Sequence, residues 1–156
     1  MTNPQFAAER SIPAGMKKLH LPVGFMGVNG PLWGRLEDDG LPVMGFFVEE
    51  RHVNPGRVCH GGMLMTFADM LLGFTVSVAC GGKKFLPTIQ LGGDFVGPAA
   101  LGAWVEGKGR MVRQTRNMGF TDALITADGA PCLRANGIMK IPSQENPLVD
   151  FSRVFG

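Results

Sequence analysis

The chain has no tyrosine, two tryptophans and three cysteines in 156 residues. Cys59, Cys80 and Cys132 are odd in number, far apart and form no CxxC pair. That excludes a disulfide framework and a thiolate metal site, and reads as reduced, partly buried thiols of a cytoplasmic protein. Charge is scarce as well. Lys and Arg number 15 against 13 Asp and Glu, a formal charge of +2, which gives no general attraction to nucleic acid or to an anionic membrane. No uninterrupted apolar run approaches the ~20 residues of a membrane span. The longest apolar stretch, Met63 to Cys80, is broken by Thr66, Asp69, Gly73, Thr75 and Ser77 and reads as a buried helix of a globular protein. The N-terminal stretch carries Glu9, Arg10, Lys17 and Lys18 without an apolar core, so neither a signal peptide nor an anchor is expected there. Internal repeats and low-complexity segments are lacking too.

What is present suits one folded unit with a real core. Hydrophobic residues make up 45% and charged residues 18%, enough to fold at this length without metal or disulfide staples. Residues 1–30 are rich in Pro and Gly and read as an arm with room for one short helix. Residues 31–142 carry the regular patterning, and 143–156 read as a tail.

Helical periodicity is convincing once. Met63, Phe67, Met70, Leu71, Phe74 and Val78 recur at three- and four-residue spacing, and Gly81-Gly82 supplies a stop. Strand character marks Leu32 to Leu36 and Val43 to Glu49 before the helix. After it come Leu86 to Val96, Ala103 to Val112, Met118 to Thr126 and Leu133 to Ile141, with Asp128-Gly129 as a hairpin signal. The expected architecture is α+β: a long helix against an antiparallel sheet of five to six strands, the last four in a meander. A helix that is apolar nearly all round needs more cover than one sheet face, and a sheet leaves edges exposed, so a homodimer or a dimer of dimers is expected.

The chemistry concentrates in NPGRVCHGGMLMTFADM, Asn54 to Met70. His60-Gly61-Gly62 leads into the helix, where N–H groups lack partners and the helix dipole is positive. Glycines let a ligand oxygen approach that backbone, which makes an oxyanion site; they serve close packing of loop and helix equally well. Asn54 and His60 can add side-chain donors. No second ligand lies at metal spacing from His60, so no metal is expected. Asp69 stands two turns further on among Phe67, Ala68, Met70 and Leu71. An unpaired carboxylate buried there is costly, so it is either paired structurally or a general base or nucleophile in a half-apolar cleft. The eight residues from Gly61 to Asp69 span about 12 Å. One small carbonyl cannot reach both, whereas two antiparallel helices about a two-fold axis would bring one chain's Gly61 beside the other's Asp69.

The pattern N-x5-HGG-x6-A-D, an apolar helix after it and a strand ending in FVGPA resemble the hot-dog-fold acyl-CoA thioesterases of the phenylacetate-degradation (PaaI-like) type. The resemblance covers roughly Leu32 to Ile141 and extends through RMVRQTRNMGFTDALITADGAPCLRANGIMK. It implies a hot-dog fold, a long central helix wrapped by the sheet, and hydrolysis of an acyl-CoA to free acid and coenzyme A. By position it implies Asp69 as base or nucleophile, Gly61 N–H as oxyanion donor, and Asn54 and His60 as orienting groups. Thr88 matches a strand hydroxyl that positions water. Gly62, the Val96-Gly97-Pro98 segment and the turn with Arg113, Gln114, Arg116 and Asn117 match substrate and nucleotide contacts.

No cofactor is implied, since coenzyme A is part of the substrate. Cationic candidates for its phosphates are Lys83, Lys84, Lys108, Arg110, Arg113 and Arg116, which equally suit a solvated, aggregation-resistant edge. Cys59 before the histidine, the glycine-rich GGDF at 92–95 and the lack of tyrosine depart from the family pattern. Cys59, without a partnered base, is read as a packing residue. Two alternatives stay in view: a non-catalytic acyl-CoA-binding hot-dog protein, and a hot-dog dehydratase or hydratase acting on acyl thioesters.

Overall fold

In the computed structural model, which describes residues 11–21 and 24–156, a 19-residue helix lies on one antiparallel sheet of eight strands. The elements are β1 (Lys17–Lys18), α1 (Phe25–Val28), β2 (Trp33–Leu36), β3 (Pro42–Phe47), α2 (Gly61–Ala79), β4 (Thr88–Phe95), β5 (Trp104–Lys108), β6 (Arg110–Gln114), β7 (Met118–Ala127) and β8 (Ala130–Lys140). The spatial order is β1-β2-β3-β5-β7-β8-β4, with β6 also paired to β7. This is the hot-dog arrangement, with α2 in the place of the central helix. Residues 1–10 and 22–23 of the expected arm lie outside the described residues.

Period-two alternation sets the core. Thr121, Ala123, Ile125 and Ala127 of β7 point inward, as do Leu133, Ala135, Gly137 and Met139 of β8, while Leu124 and Arg134 point outward. From the helix side Leu64, Phe67, Leu71, Leu72 and Val76 meet them, and Phe67 stacks at 5.0 Å on Phe46 of β3. By length and composition α2 is apolar enough to cross a membrane; here its apolar faces are buried against the sheet. The sheet approaches it closely because glycines stand beneath it. A Cβ on Gly107 would lie 2.8 Å from Leu71 Cδ2, one on Gly119 would lie 2.7 Å from Val76 Cγ2, and one on Gly109 would overlap Thr75 Oγ1.

Two expectations are corrected. The strands number eight rather than five or six, partly because Lys17–Lys18 adds an edge strand to β2 from within the expected arm. The remaining excess comes from Gly109, which divides the expected 103–112 strand into β5 and β6 where the chain passes Thr75. Nor do the last strands form a simple meander, because β4 pairs with β8 and β5 pairs with β3. The segment between β4 and β5 is no hairpin turn. Cys59 N–H donates to Ala99 O at 2.7 Å and Gly102 N–H to Val48 O at 2.8 Å, so the segment is tied to the chain entering α2 and to the end of β3. That delivers β5 to the far side of the sheet and leaves β4 at an edge with an open flank.

The tail folds back onto the helix. Phe151 and Phe155 meet Phe74 edge-on at 5.3 and 5.7 Å, Val154 is buried, and Phe151 N–H donates to Gly82 O at 2.7 Å.

Candidate active site

Helix α2 has two unlike surfaces, and the second carries the site. Gly62, Thr66, Asp69, Gly73 and Ser77 recur at three- and four-residue spacing and therefore share one face. Read along the sequence they interrupt an apolar run; in the structure they form the floor of a pocket of about 560 Å³. Its walls come from Phe25 and Met26 of α1, the Lys84–Thr88 approach to β4, and Phe151 of the tail. Met70 and Phe74 line it as expected. Met63 and Phe67, expected with them, are turned into the core instead.

Asp69 sits midway along that face. Thr88 Oγ1 donates to Asp69 Oδ1 at 2.8 Å, which fixes the carboxylate plane and leaves Oδ2 without a partner among the described residues. The carboxylate is half-buried, so it is not the stranded charge that its apolar neighbours suggest. Partial solvation and one hydroxyl donor hold it there.

His60 is the N-cap of α2. Its backbone is extended (φ −61°, ψ 136°), and its Nδ1 accepts the Gly62 N–H at 2.8 Å. Accepting at Nδ1 leaves Nε2 as the ring's N–H donor. Met63 and Leu64 N–H both donate to His60 O, at 2.9 and 3.2 Å. Of the N–H groups of the helix's first turn, Gly61 alone has no partner among the described residues. Phe95 of β4 packs at this point, its ring 3.2 Å from where a Gly61 Cβ would stand.

Asn54 is placed elsewhere. Its Oδ1 accepts Gly56 N–H at 2.9 Å, closing the turn before the helix, and it does not line the pocket. The turn continues through Arg57, held at φ 62° with its guanidinium on both carboxylate oxygens of Glu50.

The two segments expected to contact the nucleotide lie apart within one chain. Val96, Gly97 and Pro98 lead into Ala99, which accepts from Cys59 at the start of α2. Arg113, Gln114, Arg116 and Asn117 form the β6–β7 hairpin, and Gly119, just beyond it, rests on Val76 near the helix's other end. From Gly61 to Val76 is about 22 Å at 1.5 Å per residue. The structure also sorts the six cationic candidates. Lys108 pairs with Asp39, Arg110 with Asp122, Lys84 Nζ donates to Pro142 O, and Lys83 interacts with Asp150. Arg113 and Arg116 alone of the six have no such partner among the described residues.

Cys59 is 5% exposed and its thiol is pushed up to about 12 by burial, with Cys132 nearby adding to the shift. A thiol held that high is no nucleophile at neutral pH. His52 has a structural part that the sequence does not signal. It is buried, its Nδ1 accepts Glu49 N–H at 3.0 Å, its ring meets Phe46 edge-on at 5.3 Å, and its carbonyl accepts the His60 N–H at 2.7 Å. Burial, aided by the adjacent Arg51 charge, lowers its pKa from the usual 6.5.

The sequence model of the thioesterase superfamily matches residues 56–132, which hold His60, Asp69 and Thr88. A curated candidate esterase of Pseudomonas aeruginosa is 27% identical over 132 residues, covering 85% of this chain and 98% of that protein. Among solved structures, a hypothetical thioesterase protein of Streptococcus pneumoniae with coenzyme A superposes with a TM-score of 0.66 at 24% identity, covering 74% of this chain and 88% of that one. A mutant of the phenylacetic acid degradation protein PaaI from Thermus thermophilus gives 0.67 at 21% identity, covering 76% and 98%. Zebra fish thioesterase superfamily member 2 gives 0.69 at 21%, covering 78% and 88%.

Proposed function

We propose that the chain, whose residues 56–132 match the sequence model of the thioesterase superfamily on a hot-dog fold, hydrolyses an acyl-CoA thioester to the free carboxylic acid and coenzyme A. The observation that carries the proposal is the Thr88–Asp69 bond at the middle of the pocket, which orients a carboxylate whose second oxygen has no partner among the described residues. A thioester carbonyl is electrophilic enough for such a group to act on directly. As a general base, Asp69 Oδ2 takes a proton from water while the oxygen attacks the carbonyl carbon. Negative charge gathers on the carbonyl oxygen, the C–S bond breaks, and the thiolate leaves with a proton. As a nucleophile, Asp69 forms an anhydride that water then opens. A single turnover in isotopically labelled water tests the nucleophile route: label on Asp69 with an unlabelled acid product requires an anhydride that water opens at the Asp69 carbonyl.

The oxyanion is assigned to the Gly61 N–H at the positive end of α2. With about 12 Å between Gly61 and Asp69 along the axis, the two must come from different chains. The same pairing explains the gap of about 22 Å between Val96–Pro98 and Arg113–Asn117. Antiparallel helices about a two-fold axis bring the first segment of one chain to the second of its partner, where Arg113 and Arg116 meet the phosphates of coenzyme A. It also gives the open β4 edge, with Ile89 and Phe95 each 54% exposed, something to pair with. The proposed unit is therefore a cytoplasmic homodimer, alone or doubled, that needs no metal or added cofactor.

Thiol release from a panel of acyl-CoAs tests this, with Asp69→Asn alongside. At least one aryl or medium-chain thioester should be cleaved, and kcat should fall more than tenfold in the variant, about 1.4 kcal/mol or more of barrier. No cleavage by the wild type, or an unimpaired variant, ends the catalytic assignment. A monomer on sizing ends the two-chain site.

A further inference from the structure

The far half of the pocket holds a second polar group that the proposed hydrolysis does not use. Ser77 lies two turns beyond Asp69 on the same helix face, lines the pocket and is 4% exposed. Its Oγ has no hydrogen-bond partner among the described residues, and it is the single buried side-chain polar atom among them in that condition. Serines in helices commonly bond the carbonyl one turn back, as Thr66 does to Gly62 O and Thr75 to Leu71 O. Ser77 forgoes that bond, so a buried hydroxyl is left wanting a partner.

Gly73 lies on that face between Asp69 and Ser77. A glycine inside a helix is unfavourable relative to alanine, and a close neighbour can demand one, as Leu71 and Val76 demand the strand glycines Gly107 and Gly119. Here a Cβ would meet nothing within 4 Å. Packing among the described residues gives no reason for the missing side chain; space along the pocket floor does. The apolar part of the lining includes Phe25, Phe74, Leu86 and Phe151, and Lys84, which also lines the pocket, has its Nζ on Pro142 O at 2.9 Å. At the other end the lining reaches Gly62, next to Gly61, whose N–H has no partner among the described residues.

We infer that the groove running from Asp69 over Gly73 to Ser77 is an acyl channel, and that Ser77 Oγ pairs with an oxygen at the far end of the acyl group. This deepens the hydrolase reading and rests on it. The substrate class is a medium-length acyl thioester whose distal end, about 12 Å along the helix from Asp69, bears a hydroxyl or carbonyl oxygen. A shorter acyl group leaves the hydroxyl unpaired, and a plain chain of full length buries a methyl against it. Both forgo the polar contact that such a site is built to make.

The test compares decanoyl-CoA with omega-hydroxydecanoyl-CoA. For the wild type kcat/KM should favour the hydroxylated thioester, and Ser77→Ala should lower that ratio about tenfold. Gly73→Leu, whose Cβ would meet nothing within 4 Å, should lower kcat/KM for decanoyl-CoA at least tenfold relative to acetyl-CoA. Calorimetric titration of the two free acids into wild type and Ser77→Ala gives the same ratio without turnover. Loss of all hydrolysis with a preserved binding preference therefore indicts the hydrolase reading and supports the channel. Equal ratios in wild type and Ser77→Ala, in turnover and in binding, overturn the channel while leaving the hydrolase standing. So would a Gly73→Leu protein that elutes as a monomer, since the face would then belong to a second copy of the chain.

Discussion

Replacing Gly61 with proline removes one hydrogen atom that the proposed mechanism requires and little else. Gly61 is the first residue of α2, the position where proline fits best because its N–H has no helical partner to lose. His60 before it is already extended at φ −61°, ψ 136°, the region that a following proline demands. The added ring meets Phe95 at 3.2 Å, a side chain 54% exposed and free to yield. Stability should change by no more than about 1 kcal/mol. Loss of one oxyanion donor, by contrast, lowers kcat about 100- to 1000-fold, roughly 3 to 4 kcal/mol. The assay is thiol release at saturating acyl-CoA, with thermal unfolding measured alongside. Gly61→Ala carries the same Cβ and keeps the N–H, so whatever it loses is the steric share. Because Gly61 and Asp69 are proposed to act across chains, inactive Gly61→Pro and Asp69→Asn proteins should rescue each other when mixed and allowed to exchange. With random pairing, half the dimers are mixed and each holds one intact site, for about a quarter of wild-type activity. If Gly61→Pro matches Gly61→Ala, the N–H holds no oxyanion. If mixing restores nothing, the donor and the carboxylate do not come from separate chains.

Thr88→Val should lower kcat about tenfold by freeing the carboxylate, yet add nothing to Asp69→Asn; effects that simply multiply in the double variant would show that the hydroxyl acts independently. Gly109→Ala should destabilise the fold by about 2 to 3 kcal/mol in urea unfolding, since its Cβ would overlap Thr75 Oγ1 and lie 3.0 Å from Thr75 Cβ. Thr75→Ala in the same chain should recover most of that loss, and an additive double variant would refute the contact. The lowered pKa of His52 predicts acid sensitivity. Below the usual 6.5 the unfolded chain takes up a proton that the folded ring refuses, so the stability present above that pH is lost as pH falls toward the folded-state value. His52→Asn should flatten the melting temperature against pH from 6.5 downward, and an unchanged slope would place the acid sensitivity elsewhere.

The start of α2 and the strand positions around it are legible because they are local. Glycines at a helix entrance, a three- and four-residue apolar rhythm and an Asp-Gly turn act within a few residues. Where the chain goes between β4 and β5 is not local, since bonds from Cys59 to Ala99 and from Gly102 to Val48 set that path, and neither has a sequence signature. Gly109 illustrates the same limit. It reads as one small residue inside a strand, and only the helix crossing above it explains the break. Asn54 reads in the sequence as a donor to substrate, but closing its own turn is the commoner use of an asparagine before Pro-Gly. The polar face of α2 is a different case, because its signal is local and present. Thr66, Asp69, Gly73 and Ser77 carry the helical period themselves, but the denser apolar rhythm of the same residues masks it.

Pairing of a second chain along the edge of β4, as proposed above, would make dilution a variable of the chemistry. The flank of this eight-residue strand that has no partner among the described residues, with Ile89 and Phe95 beside it, is a template for another strand. If the edge is filled by a second chain that also completes the site, turnover per chain depends on how much protein is in the tube. Rates measured at nanomolar and at micromolar protein would then differ with no change in substrate, and the melting temperature would climb with concentration by mass action. A kinetic constant for this protein would carry meaning only beside the concentration at which its chains find each other.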